Sequence, residues 1–393
     1  MAQHDNVAMD IDRALPLLGG LSPAQFMRRH WHKRPLLVRQ ALPGVQPLMA
    51  RAALFALAAR DDVESRLIVR GVDDDWRLRQ GPVPRRALPP LSQPGWTLLV
   101  QGLDLHVEAA HDLLSHFRFV PAARLDDVML SYASEGGGVG PHIDSYDVFL
   151  LQVHGRRRWQ VARMSGPRLR DDVPLKMLAH FVPEQEWLLE PGDMLYLPPG
   201  WAHDGVALGG DCMTASVGFR APRADELARA LLARVADDLP DSDHSLRYRD
   251  PRQPATVAVG EVPEPLQRFA RAAVARALAG DEVLDRALGE WLTEPKPQVW
   301  FEARHRGVKG PVSAGVVLDR RTRMAYDARH VFINGESLRA GGRDARLMHR
   351  LADLRGLDAK SLRQLSREAR DLLDDWLRGG WLHPAAGESD APD

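Results

Sequence analysis

A chain of 393 residues with a formal net charge of -1 is long enough for two or three domains and carries no overall charge that would draw it to nucleic acid or to a membrane surface. Its single cysteine, Cys212, excludes an intrachain disulfide and fits a reducing compartment. No apolar run approaches the ~20 residues of a membrane span, and the polar, acidic start lacks the basic-then-apolar order of a signal peptide, so a cytoplasmic location and no membrane partner are expected.

The stretch to residue 127 mixes helix and strand signals. Ser22 followed by Pro23 has the form of a helix start, and Ala24 to Arg29 continue it. Leu48 to Ala59 is alanine-rich and predicts a second helix, with Pro47 ahead of its first turn. Ser65 to Arg70 and Trp76 to Arg79 predict a strand pair joined at Gly71 to Asp75. Trp96 to Gln101 predicts another strand and Val107 to Phe117 a helix.

From residue 128 to 222, strands and turns alternate at the short spacing of a small barrel. Gly136-Gly137-Gly138-Val139-Gly140-Pro141 is a flexible entry that lets backbone pass close to a bound group. His142-Ile143-Asp144 follows. Asp147 to Val153 reads as a buried strand, Gly155 as a turn, and the run through Arg156-Arg157-Arg158-Trp159 to Val161 as a second strand. After Pro191-Gly192-Asp193, which reads as a turn closed by Asp193, come the apolar strand Met194 to Leu197, a Pro198-Pro199-Gly200 turn and Trp201-Ala202-His203. Cys212 lies in a predicted core strand, where a small buried hydrophobe is the better reading than a nucleophile.

Residues i and i+2 of a strand share a face, so His142 and Asp144 can aim at one point. His203, from a distant strand, would complete a facial set of two histidines and one carboxylate. Such a set leaves the opposite positions open, which suits non-haem Fe(II) binding a cosubstrate and oxygen together. The H-x-D tripeptide alone is weak, since its ordinary reading is a hydrogen-bonded pair at a strand edge. His154, His180, His30 and His32 have no partner at ligand spacing. The first two read as surface residues, the last two as packing around Trp31 and Pro35.

Past residue 223 the pattern turns helical. Ala224 to Asp238 places Leu227, Ala228, Leu231, Leu232 and Val235 on one stripe. A proline-bearing polar linker, Pro240 to Pro254, precedes two more helices, Glu264 to Ala279 and Asp281 to Leu292. Pro295-Lys296-Pro297 marks a further boundary. Beyond it, Val299 to Glu302, Gly315 to Leu318, Arg323 to Tyr326 and His330 to Asn334 predict short strands. Leu347 to Leu354, Asp358 to Leu365 and Ser366 to Leu377 predict helices, and the tail from Gly387 is acidic. Strands with short helices fit a winged-helix-like module. Its basic residues are interleaved with Asp and Glu, which argues against direct nucleic-acid binding.

The order H-x-D, then Gly155-Arg156-Arg157-Arg158-Trp159, then Glu190-Pro191-Gly192-Asp193 through Pro198-Pro199-Gly200 to His203 resembles the JmjC/cupin-type 2-oxoglutarate oxygenases. More closely, with Arg29-His30-Trp31-His32-Lys33-Arg34-Pro35-Leu36 and Ser216-Val217-Gly218-Phe219-Arg220-Ala221-Pro222, it resembles the bacterial ribosomal oxygenases, which hydroxylate an arginine of a large-subunit ribosomal protein. The resemblance runs along the whole chain and is strongest over residues 128–222. It implies an α+β fold in which a double-stranded β-helix (cupin/JmjC) barrel is joined to a helical dimerisation region and a C-terminal winged-helix-like module. The matching division is 1–222 for the oxygenase domain (an α/β part over 1–127, the barrel core over 128–222), 223–295 for the helical region and 296–393 for the module.

The resemblance further implies a ribosomal protein arginine 3-hydroxylase. It would use Fe(II) with 2-oxoglutarate and O2 as cosubstrates, act on a large-subunit ribosomal protein and work as a homodimer. His142, Asp144 and His203 would be the metal ligands and catalytic residues. The distal carboxylate of 2-oxoglutarate needs a buried cation, and Arg157 is the candidate, since its fork can pair bidentately with a carboxylate. In a regular strand Arg156 and Arg158 would face away from it, as solvated charges. Ser131 could donate to the same carboxylate or be a routine strand serine. Tyr146 could wall the substrate entrance or be a core aromatic; Asp204 could orient an imidazole or sit in a loop. Competing readings are a histidyl hydroxylase or demethylase, an oxygenase of small molecules, and a non-catalytic cupin-like binding protein.

Overall fold

The structure, a computed structural model, describes residues 9–239, 246–303 and 315–385. The expectations for the first eight residues, for the start of the Pro240 to Pro254 linker and for the acidic tail lie outside the described residues. The chain divides into two units between residues 221 and 222, with residues 297–300 grouped with the first. Among the described residues no helix is long and apolar enough to cross a membrane.

In the first unit, α1 (Pro23–Arg29) begins as its sequence dictates. The Ser22 hydroxyl accepts from the Gln25 N–H, and the Gln25 side chain accepts from the Ser22 N–H. α2 (Arg51–Leu57) is shorter than the alanine pattern suggested. Ala50 has no side-chain acceptor to cap a helix, and Leu48 and Met49 ahead of it pack on the core instead. α3 (Glu108–Ser115) buries Ala110 and Leu113.

The strands are β1 (Leu36–Val38), β2 (Ser65–Arg70), β3 (Trp76–Gln80), β4 (Trp96–Val100), β5 (Leu125–Ala133), β6 (His142–Ile143), β7 (Val148–Arg163), β8 (Gln185–Leu189), β9 (Met194–Leu197) and β10 (Trp201–Phe219). They run in the order β1-β9-β7-β10-β5-β4-β2-β3, with β6 on β10 and β8 on β7. The long strands β7 and β10 pair antiparallel almost end to end and form the spine of a double-stranded β-helix. One face of the sheet packs Phe149, Leu151 and Val153 against Phe26, Leu54 and Phe117. The other encloses Val148, Leu150, Trp159, Val161, Leu189, Leu195 and Leu197 in the barrel. Gly155 does not turn the chain, as its place in the sequence suggested. It sits at φ +65° inside β7, opposite an irregularity in β10.

The second unit holds α4 (Ala224–Asp237), α5 (Glu264–Ala277) and α6 (Asp281–Thr293). α4 and α6 are tied by Arg234 to Glu294 (2.7 Å). α6 packs on a three-stranded sheet of β12 (Met324–Tyr326), β13 (His330–Ile333) and β14 (Glu336–Arg339), with Gly289 flat against the Phe332 ring. β11 (Gly315–Leu318) pairs with β15 (Gly356–Asp358) and β16 (Leu382–Pro384). α7 (Gly342–Leu354), α8 (Ala359–Leu362) and α9 (Arg367–Arg378) complete this core with Leu351, Leu373, Trp376 and Leu377. The strand expected over Val299 to Glu302 is absent: the segment runs as coil, with Trp300 exposed and Phe301 set against Arg321 and Trp381. Among the described residues no strand pairs with it, and an apolar run alone does not make a strand.

Candidate metal centre

His142 on β6 lies directly across from His203 on β10. Their rings are 4.2 Å apart between centroids. The Nδ1 of His142 donates to the Gly140 carbonyl (2.9 Å) and that of His203 to the Trp201 carbonyl (3.1 Å). A carbonyl can only accept, so each Nδ1 carries a proton, and in the neutral ring it is Nε2 that offers the lone pair. Those Nε2 atoms converge on one oxygen of Asp144, at 3.9 Å from His142 and 3.5 Å from His203. The three ligand atoms all lie within 4.8 Å of one another, and among the described residues no other trio of such side chains does so. Burial, helped by the neighbouring His142, lowers the His203 pKa to about 4 and keeps its ring neutral. Two glycines shape the surroundings. A Cβ on Gly140 (φ +76°) would meet the Met177 methyl at 2.3 Å, and one on Gly205 would meet the Trp159 ring at 2.6 Å. Trp159 thereby lies flat over β10 beside His203, 5.8 Å between ring centroids.

Arg157 points into the barrel. It pairs with Ala207 on β10 and Leu189 on β8, is 4 % exposed, and holds its guanidinium 5.7 Å from the Trp159 ring centre. Its Nε and one terminal nitrogen are buried without a hydrogen-bond partner. Unpaired N–H donors on a buried cation are costly, and an anion placed against them would relieve that cost. Arg156 is exposed and Arg158 half-buried. Ser131 is buried on the strand face shared by Met129 and Ala133, and its hydroxyl donates to the Thr214 carbonyl (3.2 Å).

The remaining sequence candidates fall into place. Tyr146, 39 % exposed, is no core residue. Asp193 closes its turn by accepting from the Gln40 and Glu190 N–H groups and from Arg39. Asp204, next to His203, leaves one carboxylate oxygen buried without a partner, and burial raises its pKa. His154 and His180 are exposed. His30 stacks on Phe26 and bonds the Pro35 carbonyl, a packing role.

Sequence reasoning missed one support. Asp147, three residues beyond Asp144, is fully buried and accepts from the Tyr196 hydroxyl (2.5 Å), while His32 approaches its other oxygen at 2.9 Å. The His32 N–H donates to the same Tyr196 hydroxyl (3.0 Å). This network ties the corner after α1 to the loop that carries Asp144. Its only sequence signal was a tyrosine inside an apolar strand.

Known proteins share this arrangement. The JmjC domain description matches residues 112–227, and that of a ROXA-like winged helix matches residues 275–383. A ribosomal protein uL16 3-hydroxylase of Escherichia coli (strain K12) is 39% identical over 205 residues, 51% of this chain and 53% of that one, so the chain spans about half of that relative's length. A probable ribosomal oxygenase of Haemophilus influenzae is 28% identical over 390 residues, covering 92% of this chain and 96% of its own. YcfD, a ribosomal oxygenase from Escherichia coli solved in complex with cobalt and 2-oxoglutarate, superposes with a TM-score of 0.76 at 27% identity, over 92% of this chain and 98% of that one.

Proposed function

We propose that this chain, which belongs to the JmjC-domain ribosomal oxygenases, is an Fe(II)- and 2-oxoglutarate-dependent hydroxylase of an arginine side chain in a large-subunit ribosomal protein. The observation that carries this reading is the pairing of two features in one barrel: free Nε2 atoms converging on Asp144, and a buried Arg157 with unpaired donors. His142, Asp144 and His203 would hold the metal. Arg157 would pair with the distal carboxylate of 2-oxoglutarate; the Ser131 hydroxyl, which gives its one proton to the Thr214 carbonyl, would have to leave that bond to serve as a second donor. The bound metal, with 2-oxoglutarate and O2, supplies the oxidation of an unactivated C–H bond.

The protein's own part is orientation and exclusion of water. The Nδ1 hydrogen bonds fix the imidazoles, the Asp147–Tyr196–His32 network steadies the loop behind Asp144, and Trp159 with the apolar barrel lining keeps solvent from the metal side. Tyr146, at the exposed rim, stands where a substrate side chain would enter. The choice of arginine and homodimer formation rest on the family resemblance; a cytoplasmic setting rests on the single cysteine and on the lack of an apolar run long enough for a membrane span.

The test is direct. Iron-loaded protein, 2-oxoglutarate and unmodified ribosomal proteins are incubated in air, and oxidised sites are mapped by tandem mass spectrometry. One added oxygen on an arginine carbon is expected. Oxygen on a histidine would move the reading to the histidyl-hydroxylase branch. Decarboxylation of 2-oxoglutarate with no oxidised ribosomal protein would overturn the ribosomal assignment.

A further inference from the structure

A regular strand puts every second residue on one face. β7 breaks that rule between its two halves. Val148 and Leu150 lie in the barrel with Trp159 and Val161, while Phe149, Leu151 and Val153 pack on the outer core. Even-numbered residues therefore face inward before Gly155 and odd-numbered ones after it. Had β7 stayed regular, Arg156 and Arg158 would have entered the barrel and Arg157 would have faced out. The register marks the place. Leu208 pairs with Arg156, but the next pairs are Met213 with His154 and Thr214 with Gln152. Both strands are bulged at the same level.

Gly155 (φ +65°), Gly209 (φ +82°), Gly210 (φ +67°) and Asp211 (φ +42°) supply the left-handed backbone this needs. The fit leaves no room for a side chain on Gly155, where a Cβ would come within 2.8 Å of the Asp211 carbonyl.

Two side-chain staples hold the double bulge. From inside, Gln152 is fully buried. Its amide nitrogen donates to the carbonyls of His154 (2.7 Å) and Gly155 (3.2 Å) and lies 3.3 Å from Cys212 Sγ, and its oxygen accepts from the Thr214 hydroxyl (2.8 Å). From outside, the Asp211 carboxylate accepts from the Tyr132 hydroxyl (2.6 Å) and from Arg51 at the start of α2. The first regular pair beyond the bulge is Leu208 with Arg156, and the next is Ala207 with Arg157. His203, paired with Val161, stands four pairs further along.

We propose that Gln152 and Asp211 are positioning residues for the cosubstrate: by locking the double bulge they set the strand parity that aims Arg157 into the barrel. The inference rests on the reading of Arg157 as the 2-oxoglutarate anchor. Disturbance of the bulge reaches Arg157 first and the metal ligands last, so the two should separate in binding.

Gln152→Met keeps length but loses the amide N–H donors and the amide oxygen. Asp211→Gly tolerates the left-handed backbone but loses the carboxylate. Asp211→Asn keeps both an acceptor and a side chain suited to that backbone. Each is compared with the parent for 2-oxoglutarate KM and kcat and for Mn(II) Kd, beside Arg157→Ala. Gln152→Met and Asp211→Gly should raise the 2-oxoglutarate KM roughly 10-fold, the usual scale for groups supporting a ligand-binding side chain, with kcat and the Mn(II) Kd little changed. Asp211→Asn should restore most of the parental KM. Tyr132→Phe, which removes a single hydroxyl, serves in the same comparison if Gln152→Met does not fold.

An unchanged KM with lowered thermal stability would make the staples merely structural and overturn the proposal. So would a KM and a Mn(II) Kd that rise together. A parental KM in Arg157→Ala would instead remove the reading beneath it, and the proposal with it.

Discussion

His142 and His203 owe their fitness as ligands to their other nitrogens. Each Nδ1 is spent on a backbone carbonyl, so each Nε2 is presented as a lone pair toward Asp144. Removing Asp144 should therefore disarm the site without unfolding it. Asp144→Ala is expected to weaken Mn(II) or Fe(II) binding by roughly 100-fold or more, at or beyond the upper end of what losing a residue that merely supports a ligand costs, with an unchanged circular dichroism spectrum and no turnover. Retained stoichiometric metal would contradict the assignment. Arg157→Ala leaves a carboxylate unpaired in a dry pocket, an effect of about 3–5 kcal/mol for a broken buried pair, so the 2-oxoglutarate KM should rise by at least about 100-fold. Arg156→Ala, at an exposed position, should stay within about 0.5 kcal/mol of the parent. Equal effects would refute the inward assignment of Arg157 alone. The trio was legible in the sequence because two of its members are i and i+2 along one short extended stretch, His142 in β6 and Asp144 just past its end, and the third follows a strong Pro-Pro-Gly turn signal. Asp147 was not: its partners Tyr196 and His32 lie 49 and 115 positions away (196 − 147 and 147 − 32), and no local pattern announces such a pairing.

The strands show where local patterns mislead. Gly155 carried the signature of a turn, yet β7 runs through it, because a glycine at positive φ serves a bulge as well as a hairpin. An inward Arg157, alone of its run, presupposes a regular strand. Arg157 is buried because the alternation is regular from Arg156 onward; extended back to Gln152 the same alternation fails. Helix ends were similarly uncertain where no cap exists, as at Ala50, and plain where one does. Ser366, for instance, accepts from the Ala369 N–H to start α9. In the second unit, Asp319 joins the turn after β11 to β16 through Arg321 (2.8 Å) and His383 (2.7 Å). Burial alone would raise its carboxyl, but those two hydrogen bonds outweigh it and hold the pKa at about 2. A carboxyl whose folded pKa lies below its unfolded value of 3.8 stabilises the fold above that pH and ceases to as pH falls toward 2. Asp319→Asn should therefore cost about 2 kcal/mol at neutral pH and flatten the loss of stability between about pH 4 and 2, read from denaturant unfolding at stepped pH. An unaltered acid limb would show that the ion pairs contribute nothing.

At the scale of the whole molecule, the sequence declared an oxygenase barrel through ordered motifs, while the substrate came only from family resemblance. No pocket feature names arginine. The helical region has a physical signature of its own. α5 buries none of its residues, and Leu266 and Val274 on it are 37% and 59% exposed. An amphipathic helix this exposed, with Phe269 set against Tyr248 at its side, suits contact with a second copy. The parent is expected to sediment as a dimer and the double variant Leu266→Glu with Val274→Glu as a monomer; a variant that remained dimeric would place the interface elsewhere, and a monomeric parent would remove it. Intact masses of the large-subunit ribosomal proteins from cells with and without this chain test the proposed hydroxylation most directly. One protein should be lighter by a single oxygen atom when the chain is missing, with the difference mapping to an arginine and returning with the parental chain but not with Asp144→Ala. Identical masses for every large-subunit protein in both cells would contradict the account.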